Sequence, residues 1–448
     1  MKLIHTTTWY FPDRSGGVEV YIDSLLHGLQ AHGVESIVAA PRQGTEEDFY
    51  EYNGTLVYRY PVFPNPNKIQ QHKQLPHGGF ETFANWLKNH KADVYHQHSW
   101  RFDCGLHHLA VARKLGMATV VTVHMPEPLC LRGTMMRYAQ EPCNGLIDAT
   151  LCSRCLGIPE RVPSWAIKTL SQVPLPVGVA AETKLRGSKS VKLRLLGRTF
   201  GIPPLVTEHQ HQLRQLAKLA DRIVVPSNWQ YDAFRLNGVP EEKLILCRQG
   251  VANNFTQQIT PTKAENGALK IGFLGRWQET KGVQIIAEAV HLLPADVPVE
   301  LILHATHADK YGEANREKVL ALAACDSRIR IAEPLSRQAI SEALANFDLL
   351  AVPSQWLETG PLVVLEAQAV GTPVLGANLG GIAELVRHGV DGWLVPAKDI
   401  KAWTEAIATL AKDRNLLARL RQGIGLVRTM SVVASEMAML YKEILATP

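Results

Sequence analysis

One pattern constrains this chain more than any other. Apolar runs of strand length alternate with helix-length amphipathic stretches, and the alternation starts twice. In the first start, Lys2 to Thr7 reads as a strand and Trp9 to Ser15 as a loop holding Pro12. Gly16-Gly17 then opens a helix from about Val18 to Ala31, which His32-Gly33 closes. Further strands are expected at Ser36 to Ala39, Asp93 to His96, Ala118 to Val123 and Arg222 to Val225. The second start follows a polar stretch, Thr256 to Ala268, that contains Pro261 and Asn266-Gly267. A strand at Lys270 to Leu274 runs through Gly275 toward a helix from about Gly282 to Leu293. Strands follow at Val299 to His304, Arg328 to Ile331, Leu349 to Val352, Val374-Leu375 and Trp393 to Val395, and the last fifty residues read as helical. Strands separated by helices pair in parallel, so the pattern predicts two doubly wound α/β units with helices on both faces of each sheet.

Size agrees with two units, because 448 residues exceed what one hydrophobic core usually supports. A hydrophobic content of 46% with 20% charged residues excludes extended disorder. Met1 to Thr8 turns polar too early for a secretory signal, and no run of eighteen apolar residues suggests a spanning helix. A cytoplasmic location is therefore expected, and the seven cysteines read as thiols or metal ligands rather than a disulfide scaffold. The net charge of +5 is too mild to suggest a nucleic-acid partner. It is unevenly placed: Lys184, Arg186, Lys189, Lys192, Arg194 and Arg198 fall together with no acidic residue among them. That stretch is either a solvated face or a patch for anionic lipid at the inner face of the membrane, or for a phosphorylated acceptor.

The segment Pro353-Ser354-Gln355-Trp356-Leu357-Glu358-Thr359-Gly360-Pro361-Leu362-Val363-Val364-Leu365-Glu366-Ala367 carries most of the chemistry. Gly360 frees a loop after a strand, and Pro361 suits the first turn of a helix, where its missing N–H is not needed. The free N–H groups and positive dipole end of that helix can seat a phosphate. Glu358 before the helix and Glu366 inside it would repel the phosphate, so their natural partners are hydroxyls. A sugar and a ribose joined by a diphosphate present that arrangement. In Gly275-Arg276-Trp277-Gln278-Glu279-Thr280-Lys281-Gly282, Arg276 and Lys281 flank a loop between strand and helix. Two cations there can hold both phosphates and stabilise the charge that grows on a leaving diphosphate.

These motifs, with the N-terminal Gly16-Gly17 loop and the closing Gly389-Val390-Asp391-Gly392-Trp393-Leu394-Val395, resemble family 4 of the retaining glycosyltransferases, which have the GT-B fold. The resemblance implies two Rossmann-like domains facing across a cleft. An acceptor-binding domain would span 1–255 with a cysteine-bearing insertion near 125–160, and a linker 256–268. A nucleotide-sugar-binding domain would span 269–430, with a terminal helix at 431–448 returning to the first domain. It also implies a UDP- or GDP-sugar donor and a sugar or lipid-linked acceptor, in cell-surface polysaccharide or glycolipid synthesis. Glu358 then matches the holder of the donor sugar's hydroxyls and Glu366 that of the ribose, while Arg276 and Lys281 match the diphosphate ligands. Gly360, Pro361 and Leu362 match the loop around sugar and phosphate, though Pro361 can offer no N–H. Gly16 and Gly17 match a contact with diphosphate and acceptor, and His124 a histidine beside the reacting sugar. A histidine at a strand end can equally be structural, and His96 and His98 read as core or rim residues.

A glycosidase would need carboxylates on both sides of the scissile bond, whereas Glu358 and Glu366 share one wall. The resemblance implies instead a front-face substitution that needs no metal, consistent with the lack of an Asp-x-Asp signature in a suitable loop. Two other readings stay open: an epimerase or phosphorylase of the same fold, and a non-catalytic protein that keeps a nucleotide-sugar pocket. Cys130, Cys143, Cys152 and Cys155 form a separate group, the last two as Cys-x-x-Cys. They suit a structural zinc, or are four unlinked thiols.

Overall fold

The computed structural model describes residues 1–13, 16–252, 255, 267–306 and 312–446. The expected linker at 256–268 lies almost wholly outside the described residues. The chain divides into two compact units, Met1–Cys247 with Ala434–Pro448, and Arg248–Val433. The second unit begins earlier than the linker reading placed it, and the backbone gives the reason. Val251 donates its N–H to Arg428 O at 2.8 Å and accepts from Met430 N–H at 2.9 Å. Gly250 packs so closely on Thr429 that a Cβ would overlap that backbone.

The first unit is built on β1 (Lys2–Thr6), β2 (Glu35–Gln43), β3 (Asp48–Tyr52), β4 (Thr55–Val62), β5 (Val94–Gln97), β6 (Ala118–Thr122), β9 (Arg222–Val225) and β10 (Leu244–Leu246). The short hairpin β7 (Met136–Arg137) and β8 (Glu141–Pro142) stands apart from that sheet. Strand order is β10-β9-β6-β5-β1-β2-β4-β3, parallel throughout except where β3 runs antiparallel to β4. Leu3, Ile4, Val38, Tyr58, Val94 and Val120 are fully buried, as strands covered on both faces require. Two helices, Leu175–Arg186 and Val191–Leu219, with the turn between them that holds Lys189, carry the basic stretch. The longer one passes through Pro203 and Pro204 without ending. The neighbouring helix packs closely there: a Cβ on Gly178 would sit 2.9 Å from both Pro204 and Phe200 O. No described helix is long and apolar enough to cross a membrane.

The second unit contains β11 (Leu269–Arg276), β12 (Val299–Thr306), β13 (Ile329–Ala332), β14 (Leu349–Val352), β15 (Val374–Ala377) and β16 (Gly392–Val395). They form one parallel sheet in the order β13-β12-β11-β14-β15-β16. The chain winds outward from β11 to one edge, then returns beside β11 and winds to the other. In such a sheet the two helix layers diverge where the order reverses, leaving a crevice at the carboxyl ends of the central strands. Here the reversal lies between β11 and β14, above a core in which Leu269, Ile271, Leu301, Leu303, Leu349 and Leu350 are fully buried. In the first unit the equivalent reversal lies between β1 and β5.

Candidate functional site

In the second unit the structure brings Lys281 and Glu358 together at that reversal point. β11 ends at Arg276 and leads through a 3-10 turn, Glu279–Lys281, into the helix Val283–His291. Between turn and helix Gly282 adopts φ +74, and a Cβ there would run into the Pro353 carbonyl oxygen just beyond β14. Glycine therefore lets the loop after β11 close on the loop after β14. The Lys281 ammonium then lies 2.6 Å from Glu358 Oε1 and 5.4 Å from the Trp356 ring centroid.

Glu358 is held from several sides. Its Oε1 also accepts from Ser354 Oγ at 2.8 Å and Trp356 Nε1 at 2.9 Å. Only 7% of the Glu358 side chain is exposed against 23% for Lys281, so the carboxylate is the enclosed member of the pair and the ammonium the accessible one. Ser354 and Trp356 were not foreseen as site residues. They stand four and two residues before Glu358 in a segment already marked out, and only the turn of the loop aims them at one oxygen.

The helix after this loop starts at Leu362, with Pro361 as the residue preceding it rather than the first helical one. Its leading N–H groups, on Leu362 and Val363, have no carbonyl a turn earlier to bind. Gly360 takes φ +148. A Cβ on Gly381 would meet Gly360 N at 2.7 Å and Glu358 O at 2.8 Å, and Gly381 N–H donates to that oxygen. The pair Gly380-Gly381, after β15, thus braces the loop, and it repeats the strand, Gly-Gly, helix pattern of Gly16-Gly17. Glu366 lies one turn into the helix with part of its surface open. Burial pushes its carboxyl up to about 7, while the charge of Arg337 partly opposes the rise. Arg276 is exposed at the end of β11 and stands outside the Lys281–Glu358 cluster.

In the first unit, Gly16 precedes the helix Gly17–Gln30 in extended backbone. A Cβ on Gly16 would lie 2.7 Å from Glu19 Oε2, so a buried carboxylate already lines this helix start. Tyr21 on the same helix meets His124 edge to face, with centroids 4.7 Å apart. His124 Nε2 is 3.0 Å from His98 Nδ1, and His98 Nε2 is 3.1 Å from His5 Nδ1. His96 bonds Thr122 Oγ1 and Tyr441 OH, each at 2.7 Å. Burial lowers His124 and His5 to about 3, and His96 and His98 fall well below the usual histidine range for the same reason. All four are neutral near pH 7. His5, His96 and His98 form the only His/Cys/Asp/Glu trio among the described residues whose ligand atoms all lie within 4.8 Å of one another. Within the trio His5 bonds His98, and His96 bonds Thr122 and Tyr441 instead, while His5 Nε2 is buried with no hydrogen-bond partner among the described residues. Cys130, Cys143, Cys152 and Cys155 gather elsewhere in this unit, around a single cavity.

Two family patterns match the chain: "Glycosyltransferase Family 4" over residues 15–152 and "Glycosyl transferases group 1" over residues 254–424. The second range contains Arg276, Lys281, Glu358 and Glu366. Among curated proteins, the D-inositol 3-phosphate glycosyltransferase of Thermobispora bispora is 30% identical over 223 residues, 47% of this chain and 52% of that protein. That of Mycobacterium marinum is 36% identical over 146 residues, 32% of this chain and 30% of its own. The chain spans about half the length, or less, of the curated relatives it matches. Among solved structures, sucrose-phosphate synthase from Thermosynechococcus elongatus superposes with a TM-score of 0.68 at 16% identity, covering all of both chains. Anabaena HepE in complex with UDP and glucose superposes with a TM-score of 0.62 at 15% identity, covering 99% of this chain and 100% of the other. At such identities these likenesses speak for the fold. With the two family patterns and the two reversal-point sheets, they establish that the chain belongs to the group 1, family 4 glycosyltransferases of GT-B fold.

Proposed function

We propose that the chain moves a sugar from a nucleotide diphosphate sugar to an acceptor hydroxyl with retention of anomeric configuration. The observation that carries this reading is the Lys281–Glu358 pair at the β11/β14 reversal, beside the start of the helix that bears Glu366. Lys281 and Arg276 are the cations for the diphosphate, and the Leu362 and Val363 N–H groups its dipolar seat. The Glu358 carboxylate takes hydroxyls of the donor sugar, and Glu366 takes the ribose. The relatives give the donor class some support, since HepE binds UDP and glucose. Acceptor recognition is assigned to the first unit, at Gly16, Gly17 and His124. Glu19 at that helix start favours a hydroxyl-bearing acceptor over a second anion.

In the step proposed, the bond from the anomeric carbon to the diphosphate oxygen breaks, and the acceptor oxygen bonds to the same face of that carbon. The acceptor proton passes to a phosphate oxygen, and the nucleoside diphosphate leaves. The protein's contribution is positioning and charge stabilisation. His124, neutral and weakly basic, serves as a hydrogen-bonding partner to the sugar rather than as the base. No divalent metal has a part in this mechanism.

A nucleotide panel tests the donor assignment. A nucleoside diphosphate at about 100 times its dissociation constant stabilises the folded chain by about 2.7 kcal/mol, a melting shift of several degrees. Glu366 adds a pH signature. With its carboxyl raised to about 7, it is largely protonated at about pH 6 and ionised at about pH 8. A ribose hydroxyl donates to the ionised form, so the shift grows as pH rises through 7 and then levels off. In Glu366→Gln the growth shrinks to the part that ionisation of the ligand's own terminal phosphate supplies. A shift that is flat with pH in the unaltered chain contradicts the role of Glu366.

The acceptor is proposed to be a glycolipid or polysaccharide intermediate at an anionic membrane surface. Lys184, Arg186, Lys189, Lys192, Arg194 and Arg198 are all exposed, and Trp165, Val177 and Val191 on the same helical group are 71%, 57% and 68% exposed. Cations interleaved with exposed apolar side chains suit an anionic interface, where each Lys or Arg adds about 1 kcal/mol. Cosedimentation with phosphatidylserine vesicles is expected to be lost in Lys189→Glu/Lys192→Glu and at high salt. Equal binding to purely zwitterionic vesicles contradicts this assignment.

A further inference from the structure

Cys130, Cys143, Cys152 and Cys155 come from separate parts of one segment, yet all four line a cavity of about 90 Å³. The segment folds in a way that serves this convergence. Cys130 and Cys143 flank the β7–β8 hairpin, whose turns place Gly133, Met135, Tyr138, Ala139 and Gly145 at positive φ. Four of those φ values fall between 54° and 72°, and three are on residues that bear a Cβ, a conformation that costs energy unless the surroundings impose it. Cys152 and Cys155 stand three apart on the helix Ala149–Cys155, so both face the same side. Asp148 caps that helix by accepting from Thr150 and Leu151 N–H, at 2.8 and 2.7 Å. The other three cysteines lie near enough to Cys152 to act on its charge.

Three further observations point to a cation in this cavity. Tyr138 N–H lies 3.3 Å from Cys155 Sγ, the amide-to-sulfur contact that favours a thiolate. Arg132 and Arg137 line the same cavity. Although Arg137 also pairs with Glu141 Oε1 at 3.2 Å, Arg132, which donates to Cys155 O at 3.0 Å, brings a positive charge that can offset part of the negative charge of several thiolates. His209, on the helix Val191–Leu219, lines it as well. It is only 3% exposed, and its Nε2 has no hydrogen-bond partner among the described residues. Leaving such a nitrogen buried and unpaired is costly, so the cavity that His209 lines favours a polar neighbour, a part a metal-bound thiolate can fill as a hydrogen-bond acceptor.

We propose that the four cysteines bind one structural Zn²⁺ in a tetrahedral all-sulfur site that ties the hairpin to the helix Ala149–Cys155. Binding exchanges thiol protons for the metal, and the thiolates supply all four ligands at about 2.3 Å. No three of the four sulfurs lie within 4.8 Å of one another among the described residues. Binding therefore requires the sulfurs to move closer together than they stand in this structure. This inference does not rest on the transferase reading, since the site serves the fold and takes no part in sugar transfer.

The test uses the full chain, purified without chelator from cells grown with added zinc. One zinc per chain is expected by elemental analysis, released in step with titration of the cysteines by a mercurial. Cys152→Ser/Cys155→Ser should lose the metal, while Cys325→Ser, at an exposed thiol elsewhere, should keep it. Because the double variant can also misfold, cobalt is loaded into the unaltered chain as a second readout. Intense visible bands of tetrahedral cobalt with sulfur-to-metal charge transfer are the expected signature. A chain that folds and melts normally with well under one equivalent of zinc overturns the proposal. So does zinc retained in the double variant, or an octahedral cobalt spectrum.

Discussion

Glu358→Ala is expected to lower turnover with the correct donor and acceptor by about 10²- to 10³-fold, the scale for loss of one oriented polar group at a reacting centre. The fold should survive the change. Truncation leaves Ser354 and Trp356 without an acceptor, but Lys281 remains partly exposed and can be solvated. A modest loss of stability is therefore expected alongside a large loss of rate. Glu358→Gln is the sharper probe because it keeps volume and one accepting oxygen. It should retain the three local bonds better than alanine does, yet still slow transfer through loss of charge. Unchanged turnover in the alanine variant contradicts the role given to this carboxylate.

The second large effect belongs to Lys281. Lys281→Ala removes a cation from the diphosphate and the ion partner from a nearly enclosed carboxylate. Both losses fall on the same step, so kcat/KM is expected to drop by about 10²- to 10³-fold. Ser354 and Trp356 still donate to Glu358, which limits the structural cost to about 1–2 kcal/mol for a pair with one exposed member. Combining Lys281→Ala with Glu358→Ala should cost much less than the sum of the two, because each variant already breaks the other's interaction. Kinetics of the two single variants and the double variant check this directly. Additive losses would mean that the two residues act in separate places.

Much of the fold could be read from the sequence because parallel strands buried on both faces leave continuous apolar runs. Leu349–Val352 and Arg222–Val225 stand where the pattern put them; β2, β11, β12, β15 and β16 extend by one to four residues at an end, β5 and β13 are shifted by one, and β1 and β6 stop one residue short. The β3–β4 hairpin went unread although Asn53-Gly54 marks its turn, with both residues at positive φ. β3 has no buried position, and β4, buried at all positions but Leu56, is interrupted by Arg59 and Pro61, so no apolar run announced them. The helix Val191–Leu219 was equally hard to anticipate. Two prolines ordinarily end a helix, and this one runs through them while packed closely on its neighbour at Gly178, Gly197 and Gly201.

The candidate site divides along the same line. Lys281, Glu358 and Gly360 could be named because each sits between a strand and the following helix, at the sheet's carboxyl edge, and Glu366 because it lies one turn into the helix that follows. Their direct pairing could not be named, since it depends on β11 lying next to β14 and on Gly282 fitting against Pro353. The histidine network was illegible for a related reason. His5, His96 and His98 come from β1, from β5 and from just beyond β5, while His124 follows β6, and only their sheet neighbours bring them together. Their neutrality follows from burial rather than from any motif.

Equilibrium titration of a nucleoside diphosphate into the unaltered chain and into folded Lys281→Ala tests the central assignment most directly. If the end of β11 and β14 is the seat of the donor's diphosphate, the unaltered chain binds and the variant binds at least about tenfold more weakly, a difference of about 1.4 kcal/mol or more. Equal affinity in the two proteins, with the variant's melting curve intact, contradicts the account, because the diphosphate would then be held somewhere Lys281 does not reach.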